Sequence, residues 1–227
     1  MNKLEDFYFN NKDRKCKMQK WHHYFKIYDK HFSRFIGKSP KILEIGVKGG
    51  GSLELWNHYF DGDCEIYGID INEECLNVPN KLGMTNVHID IGDQESRTFW
   101  LKYLKDKPRF DIVIDDGGHT MRQQIVTFEE LYDHVSDDGV YLCEDLHTSY
   151  WNDDFGGGYK KEDTFIEYSK NFADMLNIYF IKPWEIDPFK RQKYHKFRTT
   201  TSSVTYYDSV IVLEKQLDTN PPRESDI

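Results

Sequence analysis

Cysteine is scarce in this chain and is not arranged to build anything. Cys16, Cys64, Cys75 and Cys143 show no C-x-x-C spacing and no dense framework, which excludes a zinc ribbon, a thioredoxin-type redox motif and a disulfide scaffold. Long apolar runs are missing too, so no segment reads as a membrane span. The first seven residues, Met1 to Phe7, lack the apolar core of a signal peptide. Together these absences predict a cytoplasmic protein with free thiols. Positive charge is in deficit, with a formal net charge of -9. That counts against a partner read through its phosphates, whether nucleic acid or anionic membrane surface. Internal repeats and a second domain are also absent. What is plentiful is aromatic: 15 Tyr and 15 Phe among 227 residues, a composition suited to flat, hydroxyl-rich ligands such as sugars.

The apolar pattern divides the chain into one domain, residues 18–216, between a loose N-terminus (1–17) and a disordered tail (217–227). Trp21, Tyr24, Phe25, Tyr28, Phe32 and Phe35 recur at helical spacing and predict a helix over 18–35, ended by Gly37 and Pro40. Its first turn concentrates the polar-tipped rings Trp21, His22, His23 and Tyr24, which suit a lid as well as core packing. Strands at 41–46, 65–70, 86–90, 110–115 and 139–144 alternate with helices near 51–60, 72–77, 94–105 and 120–136. An irregular stretch around 146–160 follows, holding Gly156, Gly157 and Gly158, then a helix at 161–177. Such alternation implies an α/β, Rossmann-like, mostly parallel sheet with helices on both faces and right-handed crossovers. The ending departs from it. Two strand-like runs, 203–207 and 209–213, are separated by Asp208 alone, and a C-terminal antiparallel hairpin there brings the sheet to seven strands.

The run from Lys41 to Ser52 is a buried strand entering a glycine loop and then a helix, and Asp70 ends the next strand about twenty residues on. In parallel sheets that pairing marks a nucleoside site: glycines let the backbone approach the ligand, and the carboxylate takes the ribose hydroxyls. A dinucleotide loop needs G-x-G-x-x-G. Here the glycines are Gly46, Gly49, Gly50 and Gly51, with Glu44 inside the strand, where an acid opposes a phosphate. A cationic, amino-acid-bearing nucleoside, S-adenosylmethionine, suits the loop better than a nicotinamide cofactor. The cofactor-binding set is therefore Glu44, Gly46, Gly49, Gly50, Ser52 and Asp70, with Asp93, Gln94 and Asp115 from the next strand ends. Asp93 is equally an N-cap of the helix behind it. An ordinary strand-turn-helix accounts for the glycines but not for Asp70.

Two neighbouring strand ends are strongly acidic: Asp115 and Asp116 with His119, and Glu144 and Asp145 with His147. Adjacent strands lie about 4.8 Å apart, and like charges that close call for a cation. Mg²⁺ takes oxygen ligands and leaves positions open, which makes Asp116, Glu144 and Asp145 the expected metal ligands. Strand alternation sends Glu144 and Asp145 to opposite faces, so both can meet one ion only if the strand has already ended. His119, three residues after Asp116 and behind two glycines, is the expected general base. With Asp116 it makes up the catalytic pair, and a divalent cation would ease ionisation of the hydroxyl it serves. His147, Tyr150 and Trp151 are assigned to the substrate, although His147 could equally bond within its own loop. Solvated loop acids are the plainer alternative for the carboxylates. Cys143 reads as a core residue.

The runs Ile112 to Thr120, Glu144 to Trp151 and Tyr206 to Lys215 resemble the sugar O-methyltransferases of macrolide biosynthesis, of the mycinamicin and macrocin types. The resemblance covers most of residues 13–215. It implies a class I methyltransferase fold, S-adenosylmethionine and Mg²⁺ as cofactors, Asp116, Glu144 and Asp145 on the ion, and His119 as base. It further implies methylation of a deoxysugar hydroxyl by an oligomeric enzyme. The large N-terminal extension of the mycinamicin type has no counterpart here, which leaves substrate entry and assembly open. A macrolide is one acceptor among several: rhamnose-like sugars of capsules, surface polysaccharides or glycoproteins fit as well. Two other readings stand beside it. One is an iron-dependent hydroxylase related to the cephalosporin type, with His119, His147 and Asp116 on the metal. The other is a non-catalytic nucleoside-binding module.

Overall fold

The computed structural model describes residues 1–152, 154–218 and 220–223. Its seven strands are β1 (Lys41–Ile45), β2 (Glu65–Asp70), β3 (Val87–Ile91), β4 (Phe110–Asp115), β5 (Val135–Cys143), β6 (Thr201–Tyr207) and β7 (Val210–Lys215). The α-helices are α1 (Lys3–Asn10), α2 (Tyr24–Phe32), α3 (Gly51–Tyr59), α4 (Val78–Leu82), α5 (Arg97–Tyr103), α6 (Met121–Leu131), α7 (Phe165–Leu176) and α8 (Pro188–Thr200). The sheet order is β3-β2-β1-β4-β5-β7-β6. The first five strands are parallel; β7 runs antiparallel to β5, and β6 to β7. Strand order reverses between β1 and β4, and that switch point is where an open parallel sheet binds its ligand.

Alternation along each strand assigns side chains to the two faces. Ile42, Ile112, Ile114, Val140 and Leu142 pack with α1, α2 and α3. Leu43, Ile45, Val113, Tyr141 and Cys143 pack against α5, α6, α7 and α8 on the other side. The same parity governs the acids. Glu44 falls on the α3 face, where Trp56 Nε1 donates to it at 3.1 Å. Asp115 falls on the α6 face, and Asp116 and Glu144, one residue past their strands, return to the face of α2.

Several elements differ from expectation. Residues 3–10, expected to be loose, form α1: Asn2 and Glu5 close a reciprocal capping box, and Leu4 and Phe7 are buried. The signal is short: Leu4 and Phe7 are its one buried i, i+3 pair, and the neighbouring Tyr8 and Phe9 blur the helical spacing. Lys15 and Cys16 are also tied down, their backbone amides donating to the Glu54 carboxylate. The helix expected from residue 18 begins only at Tyr24, and residues 17–21 run as a loop across the sheet's carboxyl edge. Helix α8 was not anticipated, because only Tyr194 and Phe197 of its thirteen residues are buried. The hairpin turn takes Asp208 and Ser209, not Asp208 alone, with Ser209 at φ +61°. In the C-terminal tail, Asp218 bonds back to α8, its amide donating to Thr199 O at 2.8 Å. Residue 219 and residues 224–227 lie outside the described residues. Among the described residues no helix is long and apolar enough to cross a membrane.

Candidate active site

A cleft of about 1260 Å³ opens along the carboxyl ends of β1, β2, β4 and β5. Its floor exists because Gly46 has no side chain. Gly46 sits at φ +93°, its amide donates to Ile69 O at 2.8 Å, and a Cβ there would lie 2.0 Å from Asp116 O. The chain then passes Gly49 and Ser52, both on the cleft wall. Asp70 closes the far side. Its carboxylate accepts from Lys48 N at 2.8 Å and Asn72 N at 2.9 Å, so the backbone holds it at the mouth. Asp93 and Gln94 also line the cleft. Asp93 accepts from Glu95 N, while the N-cap of α5 is Ser96. Gln94 is buried; its Nε2 donates to Asp115 at 3.0 Å and its Oε1 accepts from Gly118 N at 2.8 Å.

Three residues assigned to the cofactor do not face the cleft. Glu44 is fully buried beneath it, and burial, opposed by Lys20, pushes its carboxyl up to about 7. Gly50 turns toward Val78 at the start of α3 with φ +82°. Asp115 is buried among Gln94, Tyr141 and Cys143, and burial raises it to about 7. Strand parity explains Glu44 and Asp115: each residue is the last but one, or last, of a strand whose in-plane partners fix the face it meets.

At the other end of the cleft Asp116, His119 and Asp145 offer ligand atoms within 4.8 Å of one another. His119 Nε2 lies 3.9 Å from Asp116 Oδ1 and 3.5 Å from Asp145 Oδ2. Both turns are built by unusual backbone: His119 and Asp145 adopt φ +57° and +55°. The second bears on the alternation problem. Strand β5 ends at Cys143, and the left-handed Asp145 swings its carboxylate back to the rim where Glu144 alone would have pointed. Tyr24 Oη holds it there at 2.8 Å. Burial, offset only in part by Asp116 and Asp145, keeps the His119 imidazole below its ordinary range, and its Nδ1 is buried without a hydrogen-bond partner.

Glu144 is not in that group of three. It is bound from the α2 side, with Lys20 Nζ at 2.7 Å and Tyr28 Oη at 2.5 Å. Lys20 reaches Asp116 as well, at 2.5 Å. Burial works against this ammonium, but Asp116, then Glu144 and Glu44, outweigh it and hold Lys20 well above its ordinary range. Nothing in the sequence marks Lys20: a single lysine ahead of an aromatic run carries no motif. His147 stands outside too. Its Nδ1 pairs with Ser209 Oγ at 2.6 Å, and its ring packs on Trp151 at 4.5 Å. Its Nδ1 also lies 3.9 Å from Asp145 Oδ1, but the ligand atoms that gather within 4.8 Å are those of Asp116, His119 and Asp145, not a two-histidine set. Tyr150 faces an adjoining hollow that also touches His147, Tyr206 and Tyr207, and Trp151 lies beside it, not in the main cleft.

The sheet order, the closing hairpin and a glycine-floored cleft at the switch point define the class: this is a class I methyltransferase fold. Within that class, no family model matches the chain. It is 34% identical over 170 residues to a demethylmacrocin O-methyltransferase of Streptomyces fradiae, covering 69% of this chain and 41% of the relative. It is 34% identical over 169 residues to an 8-demethyl-8-alpha-L-rhamnosyl tetracenomycin-C 2'-O-methyltransferase of Streptomyces olivaceus, covering 70% and 43%. Among solved structures it matches the MycE methyltransferase from the mycinamycin biosynthetic pathway, in complex with Mg, SAH and mycinamycin VI. That match has a TM-score of 0.77 and 28% identity over 94% of this chain and 53% of that one. The chain spans less than half the length of these curated relatives. Over the shared segment, the resemblance to the macrolide-type sugar O-methyltransferase family is real in sequence and in fold.

Proposed function

We propose that the protein is an S-adenosylmethionine-dependent O-methyltransferase that modifies a sugar hydroxyl with the help of a divalent cation. One observation carries this reading: the cleft joins a nucleoside-type loop, Gly46 to Asp70, to a rim where two carboxylates and one imidazole converge. The residues suit both groups. Gly46 lets the end of the first strand close against the Asp116 backbone, and Asp70 presents a carboxylate fixed by the amides of Lys48 and Asn72 at the cleft's mouth. Asp116 and Asp145 offer the hard oxygens a small divalent cation takes, and His119 turns Nε2 toward both, 3.9 Å and 3.5 Å away. When bound, the two groups supply an electrophilic methyl and a positive charge that eases ionisation of an alcohol.

The chain's own residues do the rest. Asp116 and Asp145 hold the cation. His119, kept neutral by burial, accepts the acceptor's proton at its rim-facing nitrogen. Gly46, Gly49, Ser52 and Asp70 fix the donor, so that donor and acceptor meet in line. His147, which lines both the main cleft and the adjoining hollow, borders the acceptor, and Tyr150 extends that border into the hollow. The relatives that act on rhamnosyl and macrolide sugars make a deoxysugar the first acceptor to test. Labelled S-adenosylmethionine offered with a panel of rhamnosides and nucleotide sugars is the decisive experiment. Label transferred to a sugar oxygen is expected; failure across the panel, with the cofactor bound, would remove the sugar reading.

A further inference from the structure

Lys20 stands where a second charge would have to enter. Its side chain is 4% exposed, and its ammonium touches both Asp116 and Glu144. It belongs to a loop, residues 17–21, that lies over the cleft and packs on the start of α3, where a Cβ on Gly51 would meet Lys17 O at 2.5 Å. The same loop therefore borders the nucleoside end and the carboxylate end together. Two facts conflict in this arrangement. Small hard cations prefer oxygen to imidazole nitrogen, so His119 is the weakest member of the group of three. Glu144, the nearby oxygen donor that could replace it, is engaged by Lys20 and Tyr28.

We propose that Lys20 is a tethered counter-ion that a divalent cation displaces. On this inference, which rests on the metal-assisted reading above, Lys20 neutralises Asp116 and Glu144 when the ion is away. The ion's arrival expels the ammonium, frees Glu144 to join Asp116 and Asp145, and leaves His119 for proton transfer. A permanent structural ion pair, by contrast, would remain in place whether or not metal were bound.

Two measurements separate these cases, neither of which needs turnover. In the wild-type protein, Lys20 is labelled by an amine-acetylating reagent and read by mass spectrometry with and without Mn²⁺. Labelling of Lys20 is expected to rise at least about tenfold with the ion, as a buried amine becomes solvent-exposed. In parallel, Mn²⁺ is titrated into wild type, Lys20→Met and Lys20→Arg, with free ion followed by electron paramagnetic resonance. Lys20→Met should bind about tenfold tighter or more, since a tethered competitor has been removed, and Lys20→Arg should not. Lys20→Met should also melt lower than wild type in chelator and recover in Mn²⁺. Mn²⁺ binding with Lys20 still protected, or equal affinity in wild type and Lys20→Met, overturns the exchange while sparing the metal reading. Absence of Mn²⁺ binding in all three proteins overturns both.

Discussion

His119 shows how burial can prepare a base. The imidazole is held at φ +57° between two carboxylates that would favour its charged form, yet desolvation wins and keeps it below its ordinary range. Substituting His119→Ala should cut turnover by roughly 10²–10⁴-fold, the usual worth of a positioned base. Calorimetric affinity for S-adenosylhomocysteine should stay unchanged, and a parallel loss of both would move His119 from chemistry to architecture. Lys215 tests the opposite case, a buried amine outside the site. Its ammonium lies 4.3 Å from the Tyr132 ring centre, and burial lowers it to about 8, with Asp133 opposing. Unfolded, a lysine titrates near 10.4. Between those values the unfolded chain holds the extra proton, so stability climbs with pH from about 8 toward about 10. Urea midpoints at pH 7.5 and 9.5 should show that rise in wild type and lose much of it in Lys215→Met. At this scale the sequence exposed the acids and His119 as a cluster. It hid Lys20, Tyr24 and Tyr28, because each meets its carboxylate across more than a hundred residues of chain.

Elements bring the site residues together by ending in the right place. Strand β1 delivers Gly46 beside the end of β4, and Asp116 N in turn donates to Ile45 O at 3.0 Å. A side chain on Gly46 would collide with that junction and would also have to adopt a left-handed backbone, a strain of about 1–3 kcal/mol for a residue other than glycine. Gly46→Ala should therefore weaken S-adenosylhomocysteine and Mn²⁺ binding together, because one atom disturbs both halves of the cleft. A calorimetric loss confined to one ligand would contradict the shared floor. Helix α1 makes the second element-scale test. Leu4 is wholly buried against the sheet's α2–α3 face, so Leu4→Ala should cost about 2–5 kcal/mol in chemical denaturation. A free N-terminus would show no change. The five parallel strands were legible because apolar residues gather or alternate ahead of an acidic or glycine end, although β5 starts at Val135, in a polar stretch that the pattern assigns in part to the preceding helix. Helices α1 and α8 were not: eight and thirteen residues with two buried side chains each give no sustained period.

For the molecule as a whole, the cleft makes two binding events separable. The nucleoside end is built from β1, β2 and the loop between β1 and α3, while the cation end is built from β4 and β5. Chelation with EDTA should accordingly stop methyl transfer while leaving S-adenosylhomocysteine affinity within about twofold, and added Mg²⁺ should restore the rate. Full turnover in chelator would refute the metal's part.

The residues alone determined the alternation of the five parallel strands with the helices between them, the closing hairpin, the glycine loop, Asp70, and the pairing of two acidic strand ends that a sheet brings side by side. These are local patterns, and alternation and turn chemistry are written in neighbouring residues. Tertiary structure alone decided which acids face the cleft. Strand parity buried Glu44 and Asp115, a left-handed turn returned Asp145 to the rim, and the loop before α2 carried Lys20 to Asp116 and Glu144. Those outcomes depend on which side chain desolvates which, and that is fixed only when distant segments pack.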